Sequence, residues 1–282
     1  MFIDTHAHIH QHHPNESGGI ISRAQTAGVG AIITAGTTVE DSRTAVDMAE
    51  KYQSVFAGVG VHPTDLRRSL TGEDLATLSQ LAESPEVTVM SEIGIDHQHR
   101  SPNKKWQAES FHAQIGIART HSLPVVFHIR EHGDDYDARS ARDATLSILK
   151  ESNAGELGGT AHYFQGRWDF AKELLDLGFH ISFAKTLVRI FDLAETAEKT
   201  PDDRILLETD AYPQTFKKKN RDKWTEPRDI PLVASKLASL RRVPTNTIQQ
   251  LATENTLRML GIRGERVRSI LESQAFSMSA RK

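Results

Sequence analysis

The sequence predicts an α/β fold, a single-domain (β/α)8 TIM barrel. Short apolar runs alternate with longer amphipathic stretches, and eight such runs fit into about 250 residues. No G-x-G-x-x-G loop follows an early run, which disfavours the rival, a doubly wound open sheet. The strands are expected at Met1–Thr5, Gly30–Thr34, Val55–Val61, Val87–Glu92, Val125–His128, Gly159–Tyr163, His180–Phe183 and Arg204–Glu208. Helical patterns lie between them at Asp41–Tyr52, Gly72–Ala82, Asn103–His121, Ala138–Glu151 and Trp168–Leu177. Gly178 ends the last of these, and Ser122 with Pro124 precedes the fifth strand. Pro231–Leu240 and Thr247–Leu260 read as closing helices. The barrel is expected over residues 1–262, without a Pro/Gly/Ser-rich linker, and residues 263–282 as a polar tail frayed from Ser273.

Composition narrows the chemistry. The 282 residues are 38% hydrophobic and 25% charged, as in a soluble globular protein, and no apolar run is long enough to span a bilayer. A cleaved signal peptide would remove His6 and His8, so a cytoplasmic location is expected. With no cysteine, any metal must be held by His, Asp and Glu. A net charge of −3 excludes a surface wholly devoted to nucleic acid.

In such a barrel, functional groups sit at the carboxyl ends of the strands. The first strand ends in His6-x-His8, two imidazoles about 7 Å apart on the side that Asp4 shares. The third ends at His62, the fourth at Glu92, the fifth at His128, the sixth at His162 and the eighth at Asp210. Four histidines and two carboxylates exceed the needs of one tetrahedral zinc. Two divalent ions are therefore expected, with Glu92 bridging, His6, His8 and Asp210 around one, and His128 and His162 around the other. This donor set admits Zn, Mn, Mg, Co or Ni.

His6-x-His8, Gly60-Val61-His62-Pro63, Glu92-Ile93-Gly94-Ile95-Asp96, His128-Ile129-Arg130, His162-Tyr163-Phe164 and Glu208-Thr209-Asp210 together resemble the successive motifs of the TatD family. The resemblance runs from Phe2 to Leu260, including Glu226-Pro227 and Asn255-Thr256-Leu257. It implies a metal-dependent hydrolase on a TIM barrel, and often 3′–5′ exonuclease activity on DNA. Relatives with other hydrolytic activities include deacylases. The chain departs from the family pattern at Ser91, where glycine is usual, at His97-Gln98-His99, and at Ala211-Tyr212-Pro213 after Asp210.

On this reading the substrate is a single-stranded nucleic acid and the nucleophile a metal-bridging hydroxide; the alternative substrate is a small ester, lactone or amide. Asp210 and Glu92 are the catalytic carboxylates, with Asp210 the proton carrier. His62 orients substrate or stabilises developing charge, and Asp4 supports a ligand histidine. Arg130 and the basic residues Lys217, Lys218, Lys219 and Arg221 are candidate substrate contacts. Trp224 and, in other loops, Arg67, Arg68, Lys104, Lys105 and Trp106 accompany them. Asp134, Asp135 and Asp137 oppose that assignment. Among the 14 histidines, His10, His12 and His13 read as solvated loop residues before the break at Pro14. His97 and His99 read as loop polarity, and His112 and His121 as helix residues. His132 and His180 have no assigned role. The sequence alone leaves the oligomeric state open.

Overall fold

The computed structural model describes residues 1–135, 137–216 and 224–279. Eight strands form one sheet in sequence order: β1 (Phe2–Ala7), β2 (Val29–Ala35), β3 (Val55–Val59), β4 (Val87–Asp96), β5 (Val125–Arg130), β6 (Gly159–Ala161), β7 (His180–Phe183) and β8 (Ile205–Leu207). Every neighbouring pair is parallel. The chain leaving β8 returns to β1, where Asp210 N–H donates to His6 O (2.9 Å) and His8 N–H to Ala211 O (2.7 Å). These bonds close the barrel at its carboxyl mouth.

The helices are α1 (Pro14–Thr26), α2 (Val39–Lys51), α3 (Gly72–Ala82), α4 (Lys104–Thr120), α5 (Ser140–Glu151), α6 (Trp168–Asp176), α7 (Leu193–Lys199), α8 (Ile230–Arg241), α9 (Thr245–Leu260) and α10 (Gly264–Ser279). Strands buried on both faces read as continuous apolar runs, which explains why they were visible in the sequence. Their outer faces pack on the helices, as Val55, Val87 and Phe127 do against Leu78, Phe111 and Leu146. Threonines cap two helices: Thr38 Oγ1 accepts Asp41 N–H, and Thr71 forms a capping box with Asp74.

Two expectations change. Pro14 does not break the chain but opens α1, since the first helical position needs no N–H, and His13 Nδ1 accepts Asn15 N–H as its cap. The polar tail expected from residue 263 is instead the helix α10, with Val267 and Leu271 buried one turn apart. They join Leu257 and Leu260 of α9 in a cluster with Ile3, Phe56, Val89 and Val126 of the strands, plugging the amino end of the barrel. Gly30 admits the helix: a Cβ there would lie 2.5 Å from Leu271 Cδ2. Val267, Ile270 and Leu271 share one helical face at spacing i, i+3, i+4, a short signal within an otherwise polar stretch.

No helix among the described residues is long and apolar enough to cross a membrane. Leu271→Ala should cost about 2 kcal/mol or more of unfolding free energy in urea titration, the price of a cavity in a packed contact. Unchanged stability would show that α10 does not seal the barrel.

Candidate metal centre

The strand ends deliver six of the expected residues to one point. Glu92, buried on β4, stands at its centre with its two oxygens facing opposite ways. Oε2 lies 3.4 Å from His6 Nε2 and 3.3 Å from His8 Nε2. Oε1 lies 2.7 Å from His162 Nε2 and 3.4 Å from His128 Nδ1. Asp210 Oδ1 completes the first side, 3.3 Å from His8 Nε2 and 4.0 Å from His6 Nε2. The donors that could hold an ion group as His6, His8 and Glu92, as His6, His162 and Asp210, and as His62, Glu92 and His128, so His162 falls with the first side and His62 joins His128.

The outer nitrogen of each imidazole faces a polar group, so that the inner one points to the centre. His8 Nδ1–H donates to Ala35 O (2.7 Å). His128 Nε2–H donates to Asp96 Oδ2 (3.0 Å). His162 Nδ1 faces Glu208 Oε1 at 3.4 Å, and His6 Nδ1 lies 3.3 Å from Ser91 Oγ. A carbonyl can only accept, so neutral His8 carries its proton on Nδ1 and aims a bare Nε2 lone pair at His6 Nε2, 3.2 Å away, and at two carboxylates. Lone pairs and carboxylate oxygens converging in this way repel one another unless a cation lies among them. The donors thus fit divalent ions.

The electrostatics agree. Glu92 is buried, but the imidazoles of His62, His162 and His128 around it hold its carboxyl well below the usual range, and Asp210 is held low against burial by His8. Burial also opposes charge on His8, yet hydrogen bonds to Asp210 and Glu92 push it up to about 10. His128 and His162 are raised against burial, the first by Asp96 and Glu92, the second chiefly by Glu92. His6 is lowered by burial and by the charge on His162. Without an ion, protons on the imidazoles balance the carboxylates.

Asp96 and Glu208, which orient His128 and His162, were not assigned from the sequence. Their signal is strand alternation: Asp96 lies four residues beyond Glu92, and Glu208 two before Asp210. Asp96 is held low against burial by the His128 hydrogen bond. Glu208 accepts Tyr163 N–H and Ser182 Oγ–H, both at 2.5 Å. Tyr163 and Asp210 adopt left-handed backbone, with φ of 45° and 51°. This is an uncommon conformation for a bulky tyrosine, and the Glu208 bond secures it.

Several other expectations are corrected. Asp4 does not support a ligand histidine side chain. The β1 ladder is irregular between Asp4 and Ala7, and Asp4 instead accepts Thr209 N–H (2.9 Å) and Oγ1–H (2.5 Å), anchoring the residue before Asp210. His10 and His12 are buried rather than solvated, with His10 Nδ1 2.7 Å from Thr34 Oγ1 and its Nε2 3.0 Å from Asp41 Oδ2. His13 is exposed. His97 is buried too, its Nδ1 2.9 Å from Ser140 Oγ, while His99 and His112 are exposed. Trp224 is buried beside His12, and Trp106 is partly buried against the core.

His62 Nδ1 accepts Thr64 N–H, leaving the proton on Nε2, which lies 3.1 Å from Glu92 Oε1. His62 therefore faces the centre as a donor. Arg130 lines the cavity above the centre but is paired with Asp134 at 2.7 and 3.1 Å. Lys217, Lys218, Lys219 and Arg221 lie outside the described residues. The cavity itself, about 1000 Å³, is walled by His8, Glu92, His128, His162 and Asp210 together with Tyr163, Phe164, Thr186, Arg189 and Tyr212.

Fold and centre together define a metal-dependent hydrolase on a (β/α)8 barrel. The family described as TatD related DNase matches residues 3–261, and the chain belongs to it. It is 31% identical over 268 residues to YabD of Bacillus subtilis (strain 168), named an uncharacterized metal-dependent hydrolase, covering 93% of this chain and 100% of that one. It is 29% identical over 249 residues to TatD of Klebsiella pneumoniae (strain 342), named a 3′–5′ ssDNA/RNA exonuclease, covering 86% and 91%. Among solved structures, YjjV, a TatD homolog from Escherichia coli K12, superposes with a TM-score of 0.79 at 29% identity, over 92% of this chain and 97% of that one.

Metal binding must displace the protons that the raised His8, His128 and His162 hold near neutrality, so affinity should rise with pH. Calorimetry in buffers of different ionisation enthalpy should show net proton release at pH 7; none would contradict this charge balance. Asp96→Asn should weaken metal affinity about 10- to 100-fold, because His128 loses the carboxylate that orients it. An unchanged affinity in a metal titration would remove Asp96 from the centre.

Proposed function

We propose that this chain is a divalent-metal-dependent phosphodiesterase that removes nucleotides from the 3′ end of single-stranded nucleic acid. The observation that carries the reading is the placement of Glu92 between two imidazole sets, on the floor of an open cavity that also presents arginine and tyrosine side chains. The name of the Klebsiella relative points to the same substrate.

His6, His8 and Asp210 would hold one ion, His128 and His162 the other, with Glu92 shared. When bound, such ions supply Lewis acidity and lower the pKa of water toward neutrality. Asp210 is ionised and sits at the edge of the centre, where it accepts the proton of the attacking water and passes it to the departing 3′ oxygen. The bond formed joins the water oxygen to phosphorus, and the bond broken is that from phosphorus to the 3′ oxygen. His62, fixed by Thr64 with its proton on Nε2, donates to a non-bridging phosphate oxygen as negative charge grows there. Burial first, and the nearby Asp210 charge second, push the Tyr163 phenol up to about 12, so it remains an O–H donor in the cavity wall.

Purified protein with Mg2+ or Mn2+ should shorten a 5′-labelled single-stranded oligonucleotide one nucleotide at a time, and chelator should stop it. Asp210→Asn should reduce that rate about 100-fold or more. Absence of metal-dependent cleavage, together with turnover of a lactone or aryl ester, would replace this reading with the small-ester one.

A further inference from the structure

Of the aromatic groups expected to meet a nucleic acid, Trp224 is buried and Trp106 partly buried, yet exposed rings stand after β7 and β8. Seven large hydrophobic side chains are exposed among the described residues, and four of them belong to just two loops. Val188 (45% exposed) and Phe191 (90%) follow β7, and Tyr212 (38%) and Phe216 (72%) follow β8. β7 and β8 are hydrogen-bonded neighbours, so their loops emerge side by side. Single exposed apolar residues are ordinary, but Tyr212 lines the cavity above the centre and Phe191 directly follows Arg189 and Ile190, which line it too, so exposed rings stand beside a binding cavity.

The chemistry of the occupant follows from what accompanies these rings. Arg189 and Tyr212 line the same cavity as His162 and Asp210. Arg189, unlike Arg130, forms no ion pair among the described residues, so its charge is available to an anion. An apolar pocket for an acyl chain would enclose its occupant, whereas Phe191 stands almost wholly in solvent. A flat ring in water beside an unpaired guanidinium suits a chain that alternates planar bases with phosphates.

We propose that Arg189 and Phe191 after β7 and Tyr212 after β8 form a stacking rim for single-stranded nucleic acid, with bases on Phe191 and Tyr212 and a phosphate on Arg189. The rim rests on the phosphodiesterase reading above and adds to it the face along which the strand enters. It holds the nucleotides next to the one being removed, outside the metal ligands, and so governs affinity for a strand rather than the cleavage step.

The test is fluorescence anisotropy of a 5′-labelled oligothymidine whose phosphorothioate linkages block cleavage, with Mg2+ present. Phe191→Ala should raise Kd about 5- to 150-fold, the usual loss for one stacked base. Arg189→Ala should raise Kd and lower the slope of log Kd against log salt by about one phosphate contact. Melting temperature and metal content of both variants should match the parent, since Phe191 is exposed and neither residue faces a ligand histidine. If the parent cleaves and binds oligonucleotide but both variants bind equally well, the rim is wrong and the phosphodiesterase reading stands. If the parent neither binds nor cleaves, both fall. If Phe191→Ala instead abolishes turnover of a long-chain acyl ester, the rim belongs to an apolar chain and the proposal is overturned.

Discussion

Everything at the mouth of this barrel answers to one buried carboxylate. Glu92 is 4% exposed, and an ionised carboxylate taken out of water is costly unless charges and donors surround it. Four ligand imidazoles and His62 do so, and their own orientation passes the demand outward. Ala35 O, Asp96, Glu208 and Ser91 each face the far nitrogen of one ligand imidazole. The centre is thus a two-layer object, with a ring of nitrogens fixed by a ring of acceptors and hydroxyls. A divalent ion held there would take the place of protons that the same carboxylates otherwise keep on the imidazoles.

The second constraint is closure. His6 and His8 come from the first strand and Asp210 from the last, so their meeting depends on the seam between β1 and β8. Backbone bonds of His6 and His8 with Asp210 and Ala211 make that seam, and Asp4 clamps Thr209 from the β1 side. Asp4 is fully buried, and burial, partly offset by its Thr209 bonds, pushes its carboxyl up to about 8. Its role is to fix the backbone that carries Asp210.

How much of this was legible depends on which physical rule controls each residue. The strands, and the gathering of His6, His8, Glu92, His128, His162 and Asp210 at one point, could be read because parallel strands buried on both faces leave continuous apolar runs, and their carboxyl ends share one mouth. His6, His8, Glu92, His128, His162 and Asp210 needed only that rule. His10 and His12 were misread because local sequence says nothing of partners such as Thr34, Asp41 and Trp224, which arrive from elsewhere in the chain. Pro14 was misread for want of its capping context. Asp4 was assigned by period-2 alternation, which the ladder irregularity between Asp4 and Ala7 interrupts. Burial of α10, and of Trp106 and Trp224, depends on tertiary packing that a composition patch does not report.

The departure from the family pattern after β8 shows how chemistry and selectivity share a few residues of backbone. Asp210 faces His8, Ala211 O accepts the bond that closes the barrel, and Tyr212 turns to the cavity wall and the exposed rim. The first two duties are set by the metal centre and the seam, so a change at either would disturb the fold or the ligands. The third is set only by what enters the cavity. Ser91 tells the same story from the other side: fully buried and beside His6 Nδ1, it can vary only within the space and hydrogen bonding that the ligand allows. Tyr212 carries neither duty, so a change there would alter the cavity wall while the strand ends and the seam stay in place.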